Sequence, residues 1–161
     1  MKNTVCVIDA GGRGSVLVNK YSQSPFVAKI IAIPGNDYMT FSSEKPVEVH
    51  THLKTTSVKE IIEICKKENV SFVDVAQDNA VAVGLTDELI KNGINAVGPL
   101  QIAGEIEWNK AWSRKFMSRH EIPQPEYQIF NDTEMAINFL QNQKDQPWFV
   151  KASGLAEGKG A

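Results

Sequence analysis

Over residues 1–99, short runs of β-branched and apolar residues alternate with stretches of helical periodicity, and this alternation is what most restricts the fold. Two parallel strands cannot be joined by a tight turn. They need a crossover of a dozen or more residues, usually a helix lying on one face of the sheet. Residues 4–10 (TVCVIDA) are almost continuously apolar, as a strand covered on both faces must be. Further strands are expected at 27–33, 72–76 and 96–98, with the more polar 47–52 at an edge. Ser15 is placed to cap a helix reaching about Gln23, and Ser57-Val58-Lys59-Glu60 has the form of a capping box. A helix over 80–92 would end where Gly93 can turn left-handed. The expected class is α/β, a Rossmann-like parallel sheet with helices on both faces.

After Pro99 the pattern changes. Residues 100–120 read as two helical pieces, the second starting at Asn109, and Pro123 and Pro125 end it. A strand at 127–130, a helix at 133–142 and a strand at 148–152 follow, and then the glycine-rich SGLAEGKGA. The expected organisation is one domain over 1–121 and the incomplete start of a second over 122–161, because a β-α-β unit ending in an unfinished loop is unusual.

Composition narrows the function classes. The 161 residues carry 17 Lys+Arg against 19 Asp+Glu, a net charge of −2, so no basic face for nucleic acid is expected. No apolar run approaches the roughly 20 residues that span a bilayer, and no cleavable signal pattern precedes the first strand. Cys6 and Cys65 form no disulfide framework and sit in apolar periodic stretches, as buried thiols do. A cytoplasmic protein with no membrane partner is expected.

Gly11, Gly12, Arg13 and Gly14 follow the first strand and precede a helix, where peptide N–H groups and the helix dipole can hold an anion. The cluster fails the dinucleotide fingerprint GxGxxG, because Leu17 stands at the third glycine position. A tight βα turn that needs glycine only for its backbone angles is the competing reading. Pro34-Gly35-Asn36 follows the second strand and Asp78 the fourth, so Arg13, Asn36 and Asp78 could converge at the carboxyl end of an open sheet. Each is also a common turn or helix-start residue. Lys151, Gly154, Gly158, Lys159 and Gly160 form a second cluster suited to phosphate oxygens. Three residues rather than four separate Gly154 from Gly158, and Gly160 follows Lys159, so this is not a Walker A loop; a flexible hairpin tip is the alternative. His50 and His52 alternate on a strand but have no third ligand at suitable spacing, and no metal site is expected within the chain. Trp108, Trp112 and Phe116, at helical spacing, read as packing.

Together these motifs resemble the phosphoribosylamine–glycine ligase (glycinamide ribonucleotide synthetase) family of ATP-grasp enzymes, over all 161 residues but only the amino-terminal third or so of such enzymes. IDAGGRGSV is similar to the family's opening strand and GGREHA loop, and Pro34-Gly35-Asn36 to its PGN turn. AQDNAV stands at the GPExPL segment, with Gly84-Leu85 and Asp87 following; GPLQIAGEIEWNKAWSRKFM matches GPxxxAAxLExSKxxxKxFM, and KASGLAEGKGA matches KADGLAAGKGV. Gly14-Ser15 replaces the Glu-His pair, Asp78 the GPE glutamate and Ser153 the aspartate of KADG. The resemblance implies a Rossmann-like pre-ATP-grasp domain, followed by the beginning of an ATP-grasp lid. It also implies a two-step ligation: ATP phosphorylates glycine to an acyl phosphate, which the amine of 5-phosphoribosylamine attacks. Lys110, Lys151, Gly154, Gly158, Lys159 and Gly160 would then face ATP, and Gly11, Gly12, Arg13, Gly35, Asn36 and Asp78 the phosphoribosylamine. Mg²⁺ ligands and the glycine site would lie in the part of the ATP-grasp domain that follows, on this polypeptide or on a complementary chain, and the 161 residues alone would be inactive. A non-catalytic module binding a phosphorylated ligand, and an ATP-grasp ligase of another carboxylate or amine, are the alternatives.

Overall fold

In a computed structural model, residues 3–143 and 147–156 are described. Five parallel strands, β1 (Asn3–Asp9), β2 (Val27–Pro34), β3 (Val47–Val49), β4 (Val70–Val75) and β5 (Ala96–Val97), lie in the order β3-β2-β1-β4-β5. Their crossovers contain α1 (Gly12–Ser22), α2 (Asp37–Phe41), α3 (Val58–Lys67), α4 (Asp78–Ala82) and α5 (Leu85–Lys91). Then come α6 (Gln101–Trp108), α7 (Lys110–Arg119) and α8 (Thr133–Asn142). The chain divides into two compact units, Met1–Gly104 and Glu105–Ala161, with the division inside α6.

The alternating side chains of β1 build two cores. Val5 and Val7 join Ile30 and Ala32 of β2, Val18 of α1 and Met39 of α2 on one face. Cys6 and Ile8 join Ile31, Ile33, Val73 and Val75, with Ile61 and Cys65 of α3 and Leu85 and Leu89 of α5, on the other. Each fully buried aliphatic side chain contributes roughly 1.5–3 kcal/mol against its entropy loss, so both faces must be covered, and helices on both faces are found. The Cys6 thiol is pushed up by its hydrogen bond with Cys65 and by burial, which fits an inert core thiol. Among the described residues no helix is long and apolar enough to cross a membrane.

Several local expectations give way to tertiary contacts. α1 starts at Gly12 with Gly11 as N-cap, and Ser15 lies within the first turns, its hydroxyl donating to the Gly11 carbonyl at 3.2 Å. The capping box does not form: Ser57 Oγ instead accepts from the Lys54 N–H at 3.1 Å. The helix expected over 80–92 is two helices, because Gly84 takes the left-handed conformation between them at φ +76°. The strands expected at 127–130 and 148–152 are paired in no ladder among the described residues; strand hydrogen bonds come from a neighbour, and neither segment has one there. Gly93, at φ +73°, does turn left-handed after α5.

The edge strand is tied down by charge. Lys29 of β2 bonds Glu48 of β3 at 2.6 Å and Glu68, the C-cap of α3, at 2.8 Å. The Lys29 hydrogen bond holds the Glu48 carboxyl below the usual carboxylate range. The stabilisation is therefore complete at neutral pH and is lost as pH falls through the lowered value. Because these groups are partly solvated it should amount to no more than about 1 kcal/mol. Lys29→Met should flatten the acid side of a stability-versus-pH curve measured by urea unfolding. Gly35 has φ +69°, and a Cβ there would lie 2.8 Å from Val49 Cγ1 and 2.9 Å from Ala32 Cβ. Gly35→Ala should cost about 3 kcal/mol from backbone strain and overpacking together, read as a fall in the urea midpoint.

Candidate functional site

In the first unit the segments after β1, β2 and β4 leave the same end of the sheet. In an open parallel sheet a ligand crevice forms there, where the strand order reverses. β1 and β4 are adjacent although separated in sequence, and that reversal lies between them.

Asp9, the last residue of β1, is fully buried. The Gly11 N–H bonds its Oδ1, Gln77 Nε2 donates to the same oxygen at 3.1 Å, and Arg13 Nε stands 3.7 Å from Oδ2. Arg13 also donates from a terminal nitrogen to Gln77 Oε1 at 3.2 Å. The loop after β2 joins through Asn36. Its side-chain NH₂ donates to the Ala10 carbonyl at 2.8 Å and to Ser15 Oγ at 3.2 Å, while its Oδ1 caps α2 at the Met39 N–H. The Gly35 N–H donates to the Asp9 carbonyl at 3.1 Å. Gly11, Gly12, Arg13, Gly35 and Asn36 are therefore assembled at one end of the sheet. Gly12 is open, with nothing within 4 Å of a Cβ placed there, whereas Gly35 is buried and serves the turn.

Asp78 begins α4, where its Oδ1 accepts from the Asn79 N–H at 2.9 Å. Its neighbour Gln77 is the β4-loop residue that reaches Asp9 and Arg13. Sequence reasoning missed Asp9, Ser15 and Gln77. The available signal was an acidic residue near the end of an otherwise apolar strand, which invites the question of what would neutralise it.

Chemically, the first unit offers the first-turn N–H groups of α1, which lack intrahelical partners, and a half-exposed guanidinium. Both suit an anion. Ser15 and Asn36 add side chains able to meet hydroxyl groups.

In the second unit Asn109 is the N-cap of α7, and its Oδ1 accepts from the Trp112 N–H at 3.0 Å. Ser153 joins this helix end: its hydroxyl donates to Asn109 Oδ1 at 3.2 Å and accepts from the Ala111 N–H at 3.0 Å. Lys110 Nζ lies 3.5 Å from the Gly154 carbonyl, at the long limit for a hydrogen bond, and Gly154 has φ +111°. Lys110 and the start of the glycine segment are thus neighbours despite their sequence separation. Lys151 is exposed. Gly158, Lys159 and Gly160 lie outside the described residues. Trp112 stacks on Phe116 at 5.1 Å between ring centroids, which agrees with packing. No group of three or more His, Cys, Asp or Glu that could hold a metal ion occurs among the described residues.

Residues 3–107 match the family described as phosphoribosylglycinamide synthetase, N domain, and residues 108–161 its ATP-grasp (A) domain. The chain belongs to the phosphoribosylglycinamide synthetase family. The phosphoribosylamine–glycine ligases of Neisseria meningitidis serogroup B and Archaeoglobus fulgidus are 34% and 35% identical to it, over 96% and 97% of this chain and 35% and 34% of theirs. A trifunctional purine biosynthetic protein of Drosophila melanogaster is 40% identical over 99% of this chain and 12% of its own. The chain thus spans about a third of the length of the curated ligases it matches. Among solved structures, the biotin carboxylase domain of Hydrogenobacter thermophilus 2-oxoglutarate carboxylase, in complex with MgADP, ADP and bicarbonate, superposes with a TM-score of 0.71. It is 16% identical, over 97% of this chain and 36% of that one, and the likeness shows the fold: a Rossmann-like sheet followed by the start of an ATP-grasp domain.

The double use of Asn109 makes a stability prediction. Asn109→Ala should destabilise α7 by about 1 kcal/mol, the usual value of an N-cap, and Ser153→Ala by less. Amide hydrogen exchange should show the loss at Trp112 in the first variant and at Ala111 in the second.

Proposed function

We propose that this chain forms the amine-acceptor side, and the first nucleotide-facing segment, of an ATP-dependent ligase that joins glycine to 5-phosphoribosylamine and yields glycinamide ribonucleotide. The observation that carries the reading is the family match running from residue 3 to residue 161 across both units.

The chemical difficulty is electrostatic. An anionic carboxylate must approach the γ-phosphate of an anionic nucleotide, and fixed positive charge at the developing negative charge lowers that barrier. Lys110 and Lys151 would supply such charge, with Gly154, Gly158, Lys159 and Gly160 bringing backbone N–H groups and one more cation to the phosphates. In the first unit, Gly11, Gly12 and Arg13 would hold the sugar phosphate, with Asn36 and Asp78 toward the ribose, and Gly35 keeping the Asn36 turn close to β1. Magnesium would accompany ATP, but the described residues offer it no ligand cluster, and no step through it is assigned to them.

The test is ATP-dependent phosphate release by the polypeptide that carries these residues together with the remaining two thirds of the ligase's length, on one chain or on a complementary one. Release should require both glycine and 5-phosphoribosylamine, and the 161 residues alone should show none. One observation favours a second reading, a ligase with a different carboxylate or amine: Gly14 has no side chain where the family motif has glutamate. Release with another carboxylate and not with glycine would decide for it. In the complete enzyme Lys151→Ala should raise KM for ATP roughly tenfold or more, the loss expected for a charge-assisted phosphate contact; unchanged steady-state kinetics would remove Lys151 from the site.

A further inference from the structure

Asp9 is fully buried although it carries a carboxylate, and neither reading above gives it a part. A buried carboxylate is costly unless donors surround it. Its donors here are parts of the crevice itself. The Gly11 N–H and Gln77 Nε2 bond Oδ1, and Arg13 Nε stands 3.7 Å from Oδ2, a buried atom with no hydrogen bond of its own. Arg13 closes the ring on Gln77. Gly14 packs beside the Asp9 side chain: a Cβ at position 14 would lie 2.6 Å from Asp9 Cβ and 3.0 Å from Asp9 Cγ. The Met39 methyl would lie 2.9 Å away as well, so position 14 has room for a side chain only if Met39 gives way and position 9 has no β-carbon. The GGREHA motif has its acidic group on the first turn of the helix; this chain has one at the end of the strand instead.

We propose that Asp9 is a positioning residue of the crevice. It fixes the Arg13 guanidinium and the Gly11 peptide across the gap between the loops that follow β1 and β4, so that the cation is aimed before a ligand arrives. An arginine that is 59% exposed otherwise loses rotamer freedom on binding, and ordering it beforehand removes that cost. Arg13 turns its Nε toward Asp9 and one terminal nitrogen toward Gln77, which leaves N–H groups of the same guanidinium for an anion. The binding part of this inference rests on the crevice being a sugar-phosphate site; the geometric part does not.

Asp9→Asn keeps the shape of the side chain and removes its charge. This variant, Arg13→Ala and the double variant can be compared in this chain by NMR and by calorimetry, with ribose 5-phosphate as the probe. Asp9→Asn should shift the Gly11 amide and the Arg13 Nε–H resonances while leaving the amides of β3 unchanged. It should weaken ribose 5-phosphate binding about tenfold when Arg13 is present and less than about twofold in the Arg13→Ala background, as expected of a residue acting through another. Unmoved Gly11 and Arg13 resonances, or additive effects on binding, overturn the proposal. If the unsubstituted chain does not bind ribose 5-phosphate, the sugar-phosphate reading fails, and the two resonances decide the role of Asp9 alone. Should Asp9→Asn not fold, the exchange variant Asp9→Gly/Gly14→Glu replaces it. An Arg13 Nε–H signal as dispersed as in the unsubstituted chain then supports positioning by a carboxylate, and a random-coil signal overturns it.

Discussion

The pairing of β1 with β2 on one side and β4 on the other organises the first unit, since both cores and the crevice depend on that central strand. Val5, Cys6, Val7, Ile8 and Asp9 are all fully buried, so each alternate side chain must meet a helix-covered layer. A one-residue slip would exchange the two layers and carry Asp9 to the wrong face. Register and crevice are thus specified by the same contacts.

Each unit holds its polar groups in a parallel way. At the end of β1 a carboxylate is surrounded by donors from two loops, so that the backbone of Gly11 and the side chain of Arg13 are held by a group from the sheet. At the start of α7 an amide side chain and a serine hydroxyl share the orphan N–H groups of the helix, and the glycine segment is drawn beside Lys110. In both places the polar groups of the cluster are held by neutral or acidic partners.

The sheet, its parallel sense and the central place of its first strand could be read from residues 4–10 and from the alternation that follows, because burial on both faces demands near-continuous apolar sequence. That the loops carrying Arg13 and Asn36 meet was also legible, since it follows from topology, whereas Asp78, expected with them, bonds the Asn79 N–H at the start of α4. What failed were readings made from local propensity alone. Ser57 found a partner in Lys54 in place of the helix end, and the periodicity over 80–92 did not register that Gly84 could turn the chain left-handed between two short helices. The strands expected at 127–130 and 148–152 had the composition of strands, but a strand is a property of two segments.

The α/β class, the two clusters of glycine and basic residues, and the family resemblance are all written along the chain, because periodicity and motif spacing are carried by sequence neighbours. It takes the folded chain to place Asp9 inside the first cluster, to bring Gln77 and not Asp78 to it, and to set Ser153 at the start of α7. The Gln77–Asp9 and Ser153–Ala111 contacts join residues 68 and 42 positions apart. Their energies depend on burial and on hydrogen-bond geometry that exists only once the strands are paired and the helices packed.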